Sequence, residues 1–168
     1  RQFDTTTLTL QQLSDLCWAA CGESRNNDYR TAPSAMNKKE IRLFVFTEKG
    51  VYEYDAVANS LTQKADGDHR ELITGSANGY KQAFAKEAPV TLLMVIDFNL
   101  IGTKNEQTIM MGCVDAGNVS ENINLYCQSV GLATVPRATH DTDGIRKLLA
   151  LTDNQLPIIN NPVGWPKK

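Results

Sequence analysis

Two short stretches carry the residues that could do chemistry. Thr31-Ala32-Pro33-Ser34-Ala35-Met36-Asn37 combines small side chains, one rigid proline and a carboxamide that both donates and accepts hydrogen bonds. That set lets backbone and Asn37 read the polar edge of a planar heterocycle. It equally suits an ordinary loop and helix cap, because Pro, Ser and Asn favour turns for local reasons. Much later, Leu132-Ala133-Thr134-Val135-Pro136-Arg137-Ala138 is mostly small or apolar and runs into polar residues, as suits backbone brought close to a flat ligand.

Other chemistries lack their residues. There is no Ser/His/Asp order, paired-carboxylate motif, GxGxxG or phosphate-loop lysine, so hydrolysis and the common nucleotide folds find no support. Cys17 and Cys21 stand four apart without a second Cys/His pair at zinc spacing. With Cys113 and Cys127 they read as buried free thiols rather than metal ligands or disulfides. Of the two histidines, His69 lies in a polar Gly67-Asp68-His69-Arg70 turn and reads as a surface residue.

The totals narrow the partners. A chain of 168 residues suits one domain, residues 1–168, with a sizeable core. Seventeen basic residues nearly balance nineteen acidic ones, which disfavours nucleic acid and a polybasic membrane patch and leaves small ligands open. No apolar run approaches the roughly 18 residues of a membrane span. The start, RQFDTTT, is not that of a signal peptide, so the expected place is the cytoplasm, with an exported form that has lost its signal as the alternative.

The positioning elements follow from periodicity. Thr9, Gln12 and the Leu8/Leu13 pair predict a capping box and staple opening a helix that runs to Gly22, with Leu13, Leu16, Cys17 and Ala20 inward. Ile41–Thr47 and residues 51–55 flank Glu48-Lys49-Gly50 as a hairpin. Residues 56–74 carry turn signals, and residues 77–87 predict an outer helix ending before Pro89. VTLLMVI at 90–96 is continuously apolar, as in a central strand covered on both faces. From Glu106 to Val130 a long helix is expected to bury Ile109, Met110, Cys113 and Val114, with Gly112 and Gly117 allowing close packing. Val119, Ile123, Tyr126, Cys127 and Val130 form its inward stripe, and Gly131 a left-handed stop. A short helix at 141–151 and a strand at 156–159 complete an α+β layer fold.

Taken together, DAGNVSENINLYCQSVGLATV, TAPSAMNKKEI and PVGWPKK resemble the nitroreductase family of flavin enzymes, closest to the short bacterial branch related to azoline dehydrogenases. The resemblance runs from LSDLCWAACG to GWPKK. It implies a mixed, mainly antiparallel sheet wrapped by helices, in an intertwined homodimer with FMN at the subunit interface. It also implies ping-pong transfer of hydride from NAD(P)H through flavin N5 to a small-molecule acceptor such as a nitroaromatic or quinone. No protein nucleophile is then needed, only residues that hold and tune the ring. The rival readings are an azoline-type dehydrogenase acting on a modified peptide and a non-catalytic flavin-binding or interaction module.

By position, Pro33, Ser34, Ala35 and Asn37 would contact the isoalloxazine and ribityl region. Val135, Pro136, Arg137 and Ala138 would lie along the other side, a backbone N–H of that loop facing N5. One subunit is expected to present both stretches, with the partner completing the pocket. Arg137 has a second reading as a solvated charge. For the phosphate the family uses an amino-terminal Arg-x-Ser-x-Arg element and carboxyl-terminal cations. Here Arg1 matches the last arginine of the former, the preceding helix is missing, and Lys167 and Lys168 match the latter or form a solvated tail. Glu121 replaces the usual Gln before Asn122, itself either functional or a satisfier of buried backbone. Lys39-Glu40 replaces a frequent Gln-Pro.

Overall fold

A computed structural model describes residues 2–25, 28–76 and 79–167. In chain order the elements are α1 (Leu10–Cys21), β1 (Glu23–Ser24), β2 (Tyr29–Arg30), β3 (Ile41–Thr47), β4 (Gly50–Asp55), β5 (Ser60–Asp66), α2 (Glu71–Thr74), α3 (Phe84–Glu87), β6 (Val90–Asp97), α4 (Phe98–Ile101), α5 (Glu106–Val130), β7 (Ala133–Thr134), α6 (Thr142–Leu148) and β8 (Gln155–Gly164). β1 and β2 pair alone; the rest form a six-stranded sheet in the order β5-β4-β3-β6-β8-β7. Its strand pairings are antiparallel, and helices flank it, in the α+β arrangement the sequence predicts.

β6 is central because every one of its eight residues is buried, and a strand covered on both faces must be apolar on both. Leu92 and Met94, beside Leu43 and Val45 of β3, pack on α1 and α5. Leu93 and Val95, beside Phe44 and Phe46, face the opposite layer with Ile73, Ala85, Ile145 and Leu149. α1 begins as expected: Gln12 N–H donates to Thr9 Oγ1 at 3.2 Å, and Thr9 N–H to Gln12 Oε1 at 2.8 Å. α5 opens on the Asn105/Thr108 capping box and ends at left-handed Gly131, φ 78°.

Four expectations change. Residues 60–66 form an edge strand: SLTQKAD is polar and mostly exposed, so it lacks the apolar alternation that betrays a half-buried strand. Among the described residues of 77–87 only Phe84–Glu87 is helical, without a side-chain cap; Gly79 is left-handed at φ 86° and Gly75 bridges Lys81. Ala77 and Asn78 lie outside the described residues. The last strand is ten residues long and runs through Pro157 and Pro162, residues that make a strand look interrupted in sequence.

The fourth change concerns α5. Its buried stripe is Thr108, Gly112, Asp115, Ala116, Val119, Ser120, Ile123 and Cys127. A Cβ on Gly112 would stand 2.7 Å from Ile96 Cδ1, so glycine is what lets the helix sit on the sheet. Met110, Val114, Leu125 and Val130 are instead exposed, as are Cys113 and Gly117, and nothing lies within 4 Å of a Cβ built on Gly117. Helical geometry puts residues 110, 113, 114, 117 and 125 on one side, together with exposed Glu121 and Gln128, so the outward side of α5 is a mixed surface that carries three large apolar side chains.

Candidate functional site

The loop after α5 is held at two points. β7 pairs with Val163 and Gly164 of β8. Three residues on, Arg137 N–H donates to Asn160 O at 2.8 Å and Asn160 N–H to Arg137 O at 2.7 Å. Between these anchors stand Val135 and exposed Pro136; exposed Ala138 follows, its N–H without a backbone partner among the described residues. Asn161 ties the loop to α5: it accepts from Ser120 Oγ at 2.8 Å, while its Nδ2 donates to Asn124 Oδ1 and Thr134 Oγ1.

Arg137 is not a solvated charge. It is 6% exposed. Its Nε donates to Gln82 Oε1 at 2.6 Å, and Nη1 to Asn160 Oδ1 at 2.8 Å and Ile73 O at 3.0 Å. The guanidinium lies 5.5 Å from the Phe84 ring centroid. The side chain therefore clamps the loop to the layer beneath, while its neighbours stay open.

The chain's two ends meet beside this loop. Phe3 bridges Pro166, Asp4 N–H donates to Trp165 O at 2.8 Å, and Lys167 N–H to Gln2 O at 3.1 Å. A cavity of about 330 Å³ is bounded by Gln2, Phe3, Val135, Pro166 and Lys167. A second, of about 580 Å³, shares Val135 and Pro166 with it and reaches Asn124 and Gln128 of α5. Lys167 is exposed at the rim; Arg1 and Lys168 lie outside the described residues, next in sequence to Gln2 and Lys167.

The segment holding Pro33, Ser34, Ala35 and Asn37 is built differently. Ala35–Asn37 is a single 3₁₀ turn. Met36, Asn37 and Lys39 have φ of 52°, 54° and 54°, a region where non-glycine residues are strained and which tends to mark binding sites. Met36 and Asn37 are exposed. Beneath them Ala35 N–H donates to Asp115 Oδ2 at 2.6 Å, Ser34 Oγ to Glu40 Oε2 at 3.0 Å, and Lys39 N–H to Ser34 Oγ at 2.7 Å. Glu40 is wholly buried. Burial, reinforced by the Asp115 carboxyl it meets, pushes its pKa up to about 7. Pro33 and Ser34 also border a cavity of about 380 Å³ with Arg30, Arg42 and Tyr54.

One chain does not bring the two stretches together, contrary to the sequence expectation. The 33–37 segment feeds β3 at Ile41, opposite Ile96, whereas Thr134 pairs with Val163, opposite Val90. Those are the two ends of β6, about 20 Å apart at strand rise. None of the three cavities is lined from both stretches.

Cys17, Cys21 and Cys127 are buried free thiols, and burial pushes Cys21 and Cys127 up to about 12. Cys113, expected to be buried, is exposed. No metal-holding cluster exists among the described residues, and none of their helices is long and apolar enough to cross a membrane. Half-buried His69 meets Asp66 O at 2.8 Å. Asn122 Nδ2 donates to Ala20 O at 3.3 Å, the backbone-satisfying role.

Comparison with known proteins supports the same fold. The model of the Nitroreductase family matches residues 1–165. A Methanocaldococcus jannaschii protein that carries the name of a nitroreductase is 26% identical over 174 residues, covering 98% of this chain and 84% of its own. A crystal structure described as a nitroreductase of Ralstonia eutropha superposes with a TM-score of 0.90 at 32% identity, over 100% of this chain and 78% of that one. A chain of the Escherichia coli microcin synthetase McbBCD complex, with truncated pro-MccB17 bound, shares the fold at a TM-score of 0.84 and 17% identity, over 99% and 68% of the respective chains.

Proposed function

Because this chain belongs to the nitroreductase family, we propose that it is an FMN-dependent NAD(P)H oxidoreductase whose cofactor lies between two copies of the chain. The observation that carries this reading is the convergence of both chain ends on the loop after α5, around Gln2, Phe3, Val135, Pro166 and Lys167. The residues fit the cofactor part by part. Val135 and Pro136 offer an apolar wall, Ala138 an N–H unengaged among the described residues for a ring nitrogen, and Lys167, followed in sequence by Lys168, positive charge for a phosphate, with Arg1 next in sequence to Gln2. When bound, FMN supplies two-electron chemistry at N5, between a reduced nicotinamide and an acceptor such as a nitroaromatic or quinone.

The 33–37 stretch would reach this cofactor from a second subunit, since its own chain holds it at the far end of β6. The exposed stripe of Met110, Val114 and Leu125, 63%, 59% and 61% exposed, supplies the apolar surface such an association needs. Homodimer interfaces of the obligate kind resemble a divided core. The expected result is a yellow purified protein that oxidises NADH or NADPH when a nitroaromatic or quinone is added. A colourless protein that cannot be reconstituted with FMN contradicts it and favours a non-catalytic module.

A second reading, an azoline-type dehydrogenase acting on a modified peptide, draws on the fold shared with a chain of the peptide-bound microcin synthetase complex. It predicts slow turnover with free nitroaromatics and a requirement for a peptide-presenting partner.

One prediction concerns the phosphate. Replacing Lys167 and Lys168 by alanine should weaken FMN by about 1.5–3 kcal/mol and riboflavin hardly at all, since only FMN carries the anion. Fluorescence titration with both ligands measures the difference, and equal losses would assign the lysines to a solvated tail.

A further inference from the structure

We propose that Glu40 and Asp115 share one proton, and that this proton latches the strained 33–37 segment to α5. Glu40 is 0% exposed and Asp115 5% exposed, and two ionised carboxylates packed together out of water repel each other strongly. Glu40 Oε2 accepts from Ser34 Oγ, while Oε1 is enclosed and has no donor among the described residues. A proton on Oε1 turns that orphaned acceptor into a donor toward the Asp115 carboxylate, which accepts the Ala35 N–H. One proton thus completes a chain from α5 through both carboxyls to Ser34 and Ala35, and without it the same residues push the segment off the helix.

No cation competes for the pair among the described residues. Lys39, on the segment itself, is ion-paired with Asp28. Arg42 of β3 lies on Glu53 at 2.6 Å and reaches Asp97 at 3.6 Å. Asp97 of β6 gives its N–H to Glu40 O, while its carboxylate takes Gln155 Nε2 at 2.7 Å. Asp115 is the charged group that α5 contributes, and the charged side chain acting on Glu40 directly.

The sign follows from linkage. The folded state holds the extra proton, so the latch is complete at low pH. Its contribution falls as pH rises from the ordinary glutamate range toward neutrality, then levels off. Glu40→Gln replaces the proton with a permanent N–H donor, so the variant should keep the latch at all pH values. The consequence for FMN rests on the functional reading above; the latch itself does not.

The experiment uses cofactor-free protein. Isotope-edited NMR follows the Glu40 carboxyl, and amide exchange follows Ala35 N–H, from about pH 5 to about pH 8. Glu40 should titrate near neutrality, and Ala35 protection, corrected for intrinsic exchange, should fall about tenfold over that range in the parent but not in Glu40→Gln. In a second variant, Asp115→Asn, the Glu40 midpoint should drop. A Glu40 already ionised at about pH 5, or identical protection profiles in parent and Glu40→Gln, would overturn the latch. FMN titration is the separate arm: affinity falling with the latch in the parent alone supports both readings. Flat FMN affinity over a latch that does titrate removes the segment's flavin contact and leaves the latch standing.

Discussion

Arg137→Met is expected to destabilise the fold by about 3 kcal/mol and to remove flavin binding with it. Methionine keeps much of the buried volume but withdraws the donors that satisfy Gln82 Oε1, Ile73 O and Asn160 Oδ1. Each hydrogen bond to a charged group contributes about 1.5–3 kcal/mol, and a stranded buried acceptor costs about 1–3. Partial relaxation and water entry keep the total below their sum. Arg137→Lys should recover little, because one ammonium cannot reproduce the planar fork that reaches α2, β8 and the segment before α3. Urea denaturation measures the loss; a change below about 1 kcal/mol would show that the clamp is dispensable.

Val114→Lys is expected to leave the monomer's fold nearly unchanged while raising the dimer dissociation constant roughly a thousandfold, about 4 kcal/mol. Val114 is 59% exposed in one chain, so a lysine there meets no clash within the subunit. At a two-fold interface built on this stripe, the same substitution introduces two charges and must desolvate them without partners. Urea stability measured at low protein concentration should therefore stay within about 0.5 kcal/mol of the parent. Sedimentation should show monomers and flavin should be lost. A variant that still dimerises would move the interface off α5.

Much of the scaffold was legible because its signals are local. Thr9 with Gln12, Gly131 after the α5 stripe and the unbroken VTLLMVI run each follow from a few neighbouring residues. β5 and the end of β8 were not legible, since a polar edge strand has no apolar period and two prolines mask a ladder. The site divided the same way. The stretches at 33–37 and 132–138 stand out by composition. The fate of Arg137, whose partners lie up to 64 residues away, and the Glu40–Asp115 pair, beside a bond from Ala35 to Asp115 that spans 80 residues, depend on tertiary packing. The outward turn of Met110 and Val114 is set by packing, because apolar residues on more than one side of a helix do not say which side meets its own sheet.

The central claim is that the flavin site is assembled from two chains, and sedimentation velocity across a dilution series, with and without FMN, tests it most directly. Ligand bound between subunits must strengthen their association. The account predicts a dimer carrying one FMN per subunit, dissociating at higher protein concentration when the cofactor is withheld. A protein that remains monomeric at micromolar concentration while binding one FMN tightly would contradict it.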